Sequence, residues 1–263
     1  WSGLQVVETG SVNTIVISVG GGSFAFVVEK SADVPLAGAK CYVYNRSGTY
    51  LGLQGSTNDL GQVFFDLAEG VVEFRVDHMG YQFWSEEYNT GTTSAGTLNL
   101  GQQDVTITVE GLYLSTAPLE GLKVYLFTPT GAYLGQHAVT DGSGQVRFSL
   151  PNQDYQVRVD TLGNQFWSNV FQQAGTTMTI PQGQAIVQAL RAGATIEGAK
   201  VYLFSDSGAY LGRVETTEAD GRAEFILPSR AFKFRVNEGA DQVWSEIVAV
   251  PAGTSVEETV NLE

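Results

Sequence analysis

The sequence predicts an all-β protein made of three antiparallel β-sandwiches in tandem, about seven strands each. Three observations predict it. The side-chain period is two wherever a pattern is clear, as in Val105-Thr-Ile-Thr-Val109, and no stretch shows the 3.6-residue period of a helix. The dipeptide Trp-Ser stands at Trp1, Trp84, Trp167 and Trp244, at intervals of 83, 83 and 77 residues, which marks tandem units. A hairpin-like stretch recurs at Gly38–Gly52, Gly121–Gly135 and Gly198–Gly212, each a strand, a tight turn at Ser-Gly or Thr-Gly, and a second strand.

In the middle copy, Val105–Val109 is a half-buried strand. In the next strand Val124 and Leu126 share one face, and Lys123, Tyr125 and Phe127 the other. Tyr133-Leu134 begins a third strand, and Thr140-Asp-Gly-Ser-Gly144 is a turn, matched at Thr57–Gly61 and Thr217–Gly221. Val146–Leu150, Tyr155–Val159, Asn164–Ser168 and Thr176–Ile180 supply the remaining strands. The predicted units are residues 23–103, 104–183 and 184–263. Gly20-Gly21-Gly22, Gly101-Gln102-Gln103 and Pro181-Gln182-Gly183 read as joints too short to be flexible tethers. Residues 1–22 read as closing strands of an upstream repeat or as a strand-donating arm, so the chain is expected to be an excerpt or a processed form.

Lys and Arg number 14 against 28 Asp and Glu, a net charge of -14 that disfavours nucleic acid and anionic membrane surfaces. The single cysteine, Cys41, rules out an internal disulfide and stands where the other copies carry Val124 and Val201, so it is expected to be a small core residue. No apolar run approaches the roughly 20 residues of a membrane helix. His78 and His137 are not equivalent in the repeat, and neither sits in a recognisable nucleophile–base pattern, so no catalytic residue is assigned and no enzyme is expected.

The recurring order P-L-x-G-x-K-V-Y, G-x-Y-L-G, T-D-x-x-G-x-x-x-F-x-L-P and Y-x-V-R-V resembles bacterial Ig-like modules of the prealbumin type. These include the carboxypeptidase regulatory-like domain and the B-type repeat of collagen-binding adhesins. The resemblance covers nearly all of Ser23 to Glu263, three times over. It implies an extracellular or cell-surface setting and a stalk, spacer or adhesive role, without naming a ligand. It also implies a candidate Lys–Asn amide crosslink in the first unit, between Lys30 and Asn99 with Asp66 or Glu73 as assisting acid. The 83-residue offset puts Tyr113 in place of Lys30 in the second unit, and Thr179 stands opposite Asn99, so the crosslink is expected in the first unit alone.

Three further sets are candidates. Tyr50, Tyr133 and Tyr210 in G-x-Y-L-G read first as core tyrosines, with exposed contact to a glycan or host protein as the alternative. Lys40, Lys123 and Lys200, Arg75, Arg158 and Arg235, and Trp84, Trp167 and Trp244 read as a packing device in which long cationic stems cover aromatic faces. Asp77, Asp160 and Asp141 are turn or strand-end carboxylates that could contribute to calcium sites, the one cofactor considered. Val6, Val12, Ile15 and Ile17 lie in apolar strand-forming segments that could complete a neighbouring molecule's sheet.

The leading expectation is a structural region of an extracellular stalk, adhesin or fibre, its partners being neighbouring repeats or identical subunits head to tail. The rivals are a carbohydrate- or protein-binding array and accessory domains of a secreted enzyme.

Overall fold

The computed structural model describes residues 21–263, so the expected assembly segment with Val6, Val12, Ile15 and Ile17 lies outside the described residues. Every regular element among the described residues is a β-strand. The first copy comprises β1 (Gly21–Ser31), β2 (Val34–Pro35), β3 (Lys40–Asn45), β4 (Tyr50–Ser56), β5 (Gln62–Ala68), β6 (Val71–His78), β7 (Tyr81–Trp84), β8 (Tyr88–Asn89) and β9 (Ala95–Asn99). The second comprises β10 (Gln103–Leu112), β11 (Thr116–Pro118), β12 (Lys123–Phe127), β13 (Tyr133–Val139), β14 (Gln145–Leu150), β15 (Gln156–Thr161), β16 (Asn164–Trp167) and β17 (Thr176–Arg191). The third reuses β17 and adds β18 (Ala194–Thr195), β19 (Lys200–Ser205), β20 (Tyr210–Thr216), β21 (Arg222–Pro228), β22 (Ala231–Glu238), β23 (Asp241–Trp244), β24 (Val248–Ala249) and β25 (Ser255–Leu262). Leaving out the pieces of two or three residues, each copy has the expected seven strands.

Each copy is two sheets. In the first, β2-β1-β5 with β9 faces β4-β3-β6-β7 with β8. Inward residues of both sheets alternate with outward ones and meet in one core: Phe24, Phe26 and Val28 from one side, Cys41, Val43, Phe74 and Val76 from the other. Phe26 and Phe74 stack at 4.1 Å between ring centroids. Each such fully buried ring stabilises the fold by about 1.5–3 kcal/mol relative to exposure. Cys41 is fully buried as expected, and burial, aided by the charge of Asp77, pushes its thiol pKa up to about 12. The third copy repeats the design with Val187, Val201, Leu203, Phe225, Phe234 and Val236.

One pairing departs from the expected antiparallel pattern. The first and last strands of each copy lie side by side in parallel: β1 with β9, β10 with β17, and β17 with β25. The chain therefore enters a copy at one end of the sandwich and leaves at the other.

Two expected joints are corrected. Gly21 and Gly22 are not a joint; they belong to β1 and pair with Ala68 and Leu67. Pro181-Gln182-Gly183 lies inside β17, a 16-residue strand that closes the second copy and opens the third. Proline normally punctuates a chain because it has no N–H to donate. Here that missing donor falls where β17 changes partner, since Pro181 is the last residue opposite β10 and Gln182 the first opposite β21. Inward burial also changes phase there, from Met178 and Ile180 to Ala185, Val187 and Ala189. Contacts accordingly divide the described residues into two compact units, one ending at Gln103 and the other spanning Asp104–Glu263, the second holding two copies because they share a strand.

Candidate functional site

The recurrent aromatic and cationic residues converge on the outer face of the hairpin sheet of each copy. The edge strand brings in the tryptophan: Trp84 opposite Arg75, Trp167 opposite Arg158, Trp244 opposite Arg235. The ring of Trp84 sits 4.8 Å from Tyr44, Trp167 4.7 Å from Phe127, and Trp244 4.5 Å from Phe204. The tyrosine after the hairpin turn continues each strip, with Tyr50 5.5 Å from Tyr44, Tyr133 5.3 Å from Phe127, and Tyr210 5.4 Å from Phe204. The arginine lies over these rings, at 4.5 Å for Arg75 on Tyr42, 5.1 Å for Arg158 on Tyr125, and 5.1 Å for Arg235 on Tyr202. Of the lysines, Lys123 reaches the Tyr125 ring at 5.8 Å, and Lys200 donates to Thr216 Oγ1 at 2.7 Å.

The first reading of the tyrosines is corrected. Tyr50, Tyr133 and Tyr210 are 41%, 47% and 51% exposed, not core residues. Each stands opposite Tyr44, Phe127 or Phe204 just past a register shift, in the outward phase of the hairpin. The strip is thus a packed platform whose rim is open to solvent.

Asp77 and Asp160 are engaged by the same arginines. Arg75 Nε lies 3.0 Å from Asp77 Oδ1 and Arg158 Nε 2.8 Å from Asp160 Oδ1, while in the third copy Arg235 Nε donates to Asn237 Oδ1 at 3.1 Å. Asp141 instead accepts the backbone N–H groups of Ser143 and Gln145, both at 2.9 Å, and so shapes its own turn. The structure does not bring these three carboxylates together. Among the described residues no group of three or more His, Cys, Asp or Glu side chains is placed to hold a metal ion.

The crosslink set is also dispersed. Lys30, Asn99 and Asp66 are all exposed. Asn99 stands opposite Glu29, and its Oδ1 accepts the Gly101 N–H at 2.8 Å. Asp66 pairs with Ser23, seven residues along β1 from Lys30, or about 23 Å at the usual strand rise. Lys30 therefore lacks the buried setting that such a crosslink needs. Strand register also aligns Lys30 with Gly111, since Val28 and Val109 make equivalent bonds to Leu36 and Leu119, and not with Tyr113.

Sequence reasoning missed two polar clamps. The serine after each tryptophan accepts a backbone N–H from the neighbouring strand and donates to the next carbonyl: Ser85 to Phe74 and Glu86, Ser168 to Val157 and Asn169, Ser245 to Phe234 and Glu246. Ser168 and Ser245 are buried. The threonine opening each turn cluster does the same across the sandwich: Thr57 Oγ1 accepts from Ala39 and donates to Leu36, and Thr217 accepts from Ala199 and donates to Ile196. The threefold recurrence of Trp-Ser and Thr was the available signal; the partners, distant in sequence, were not.

The histidines occupy different settings. His78 Nε2 lies 2.6 Å from Gln102 Nε2, and burial, then the charge of Lys30, holds its pKa below the ordinary imidazole value. His137 lies against the Tyr125 ring at 5.7 Å on the strip of the second copy.

No protein-family model matches the chain, and no curated protein matches it. Among solved structures it is similar to the Bacillus anthracis TIE protein, at 14% identity and a TM-score of 0.30, covering 93% of this chain. The chain spans about half of that protein, 51% of its length. It is similar to GBS52, the minor pilin of Streptococcus agalactiae, at 12% identity and a TM-score of 0.35, covering 60% of this chain and 94% of that one. BcpA, the major pilin subunit of Bacillus cereus, gives 10% identity and a TM-score of 0.27, covering 92% and 99%. At these identities and scores none of them assigns the chain to a family or a function.

Proposed function

We propose that this chain is a structural part of an extracellular or cell-surface stalk or fibre, a series of Ig-like sandwiches of the prealbumin type whose working parts are their cores and joints. The parallel pairing of first and last strands carries this reading. It sends the chain in at one end of each sandwich and out at the other, which is how modules must be threaded if each is to add length. The recurrent cations and aromatics support it, because each strip packs within its own copy. Partners are then neighbouring repeats or subunits head to tail, with strand addition through residues 1–19 as a further route that deletion of those residues would abolish. Small-angle scattering of the whole chain tests the reading: a maximum dimension several times the width supports it, and a compact particle refutes it.

A second reading is favoured by one observation, the open rims of the strips at Tyr50, Tyr133 and Tyr210. In it the three platforms bind glycan or protein. A glycan array should then light up with the native chain and dim with Tyr133→Ala; a blank array removes the glycan half of it.

A further inference from the structure

The last residues of the first copy are tied down at two levels. The Leu100 N–H donates to the Glu29 carbonyl at 2.9 Å and the Gln102 N–H to the Lys30 carbonyl at 2.6 Å, so the backbone stays on β1 until it enters β10. The Gln102 side chain is buried as well, at 8% exposed. Its Nε2 lies 2.6 Å from His78 Nε2 and 3.9 Å from Met79 Sδ, at the turn between β6 and β7.

A carboxamide nitrogen carries only donors. The ring nitrogen facing it must therefore offer a lone pair, which makes His78 neutral with its proton on Nδ1. The Met79 sulfur orients the carboxamide the same way, because a thioether accepts an N–H and would meet a carbonyl oxygen lone pair to lone pair. Protonating His78 puts a second donor into the 2.6 Å gap. The surrounding charges do not favour that proton. Lys30 on β1 opposes it. Glu29, next to Lys30, receives the Asn99 side-chain amide at 3.5 Å. Tyr81 on β7 stands opposite His78. Asp77, next along β6, is held by Arg75, and Lys40 on β3 stands opposite Asp77.

The second copy has the same place without the histidine. Thr161 stands opposite Asn164 as His78 stands opposite Tyr81, Gly111 takes the place of Lys30, and the matching glutamine, Gln182, fills the space where a Cβ on Gly111 would be.

We propose that His78 and Gln102 form an acid-released catch: neutral His78 holds the Gln102 side chain and keeps residues 100–102 on β1, and protonation of His78 expels that side chain and frees the segment leading to the second copy. Open, His78 titrates near its ordinary value of 6.5; closed, it titrates lower. The catch is therefore whole above about pH 6.5 and weakens as pH falls from there toward the closed value. It belongs to the first copy alone and does not depend on the stalk reading.

Backbone amide exchange of the full chain tests it, each rate being divided by that of an unstructured peptide at the same pH. From pH 7.5 to 5 the protection of the Gln102 N–H should fall, by at most about tenfold for each unit below 6.5. At every pH it should stay below that of core Val28, whose N–H donates to the Gly61 carbonyl. His78→Thr, the second copy's residue, should make the Gln102 protection indifferent to pH. Equal protection at Gln102 and Val28 would mean that only global unfolding frees the segment, and overturns the proposal. So does a Gln102 protection that ignores pH in the native chain, rises in acid, or falls as far in His78→Thr. Should His78→Thr not fold, the native chain decides. The Gln102 side-chain amide signals should then shift with the same midpoint as the His78 ring signals, and a Gln102 amide that stays still while the ring titrates overturns the catch.

Discussion

The end of the first copy and the end of the second solve one problem in two ways. After Asn99 the chain turns: Gly101 adopts a φ of 61°, Asn99 Oδ1 takes its N–H, and Gln102 donates its N–H to Lys30. After Ile180 nothing turns, and the strand runs on as the Pro181 carbonyl accepts the Ser229 N–H at 2.8 Å and the Gln182 carbonyl accepts the Gly253 N–H at 2.8 Å. In both places a glutamine follows the closing strand, Gln102 against His78 and Gln182 beside Gly111. The difference teaches that a joint's character lies in which sheet receives its backbone groups and not in whether it contains proline or glycine.

The same substitution at both places should break the comparison most visibly. A Cβ on Gly183 would stand 1.9 Å from the Pro251 carbonyl oxygen, a backbone atom that cannot swing aside. Gly183→Ala should cost the second unit on the order of 2–4 kcal/mol in urea unfolding. Gly101 has open space around it, so Gly101→Ala should cost only the left-handed strain, about 1–2 kcal/mol. Equal losses would mean that the joints are alike after all.

The serine clamps sharpen the contrast next. Ser245→Ala leaves the buried Phe234 N–H without a partner and should destabilise the second unit by about 1–3 kcal/mol. Ser85→Ala should cost less in the first unit, because Ser85 is only partly buried and water can replace its hydroxyl.

The smallest expected effect is a pH dependence of the first unit. Its folded form holds the His78 pKa below 6.5, so the unfolded chain takes up that proton first as pH falls. The stability tied to neutral His78 is whole above about pH 6.5 and is lost as pH drops toward the folded value. Urea titrations between pH 7.5 and 5 should show the first unit weakening, and His78→Gln should flatten the trend.

Much of this was written plainly in the chain. Alternation in Val105–Val109 and Val146–Leu150 names strands and inward faces, because a sheet's side-chain period is two whatever surrounds it. The pairing of Arg75, Arg158 and Arg235 with aromatic faces was legible because the residues recur together. What stayed hidden depends on distant partners. Pro181 and Gly183 read as a break because nothing local says that Ser229 and Pro251 will be waiting. Tyr133 read as core because its amphipathic ring suits either side, and only the register shift in the hairpin turns it outward. Lys30 was matched to Tyr113 because a constant offset ignores where loops lengthen; hydrogen-bond register moves the match to Gly111.

The side-by-side parallel run of β1 with β9, and of β17 with β25, has a mechanical consequence. A pull on the two ends of such a sandwich drags its terminal strands past each other lengthwise. Every hydrogen bond between them is then loaded together, where an antiparallel pair would open one rung at a time. Through β17 the tension would pass from one core to the next along covalent bonds, leaving no slack segment between them to stretch first.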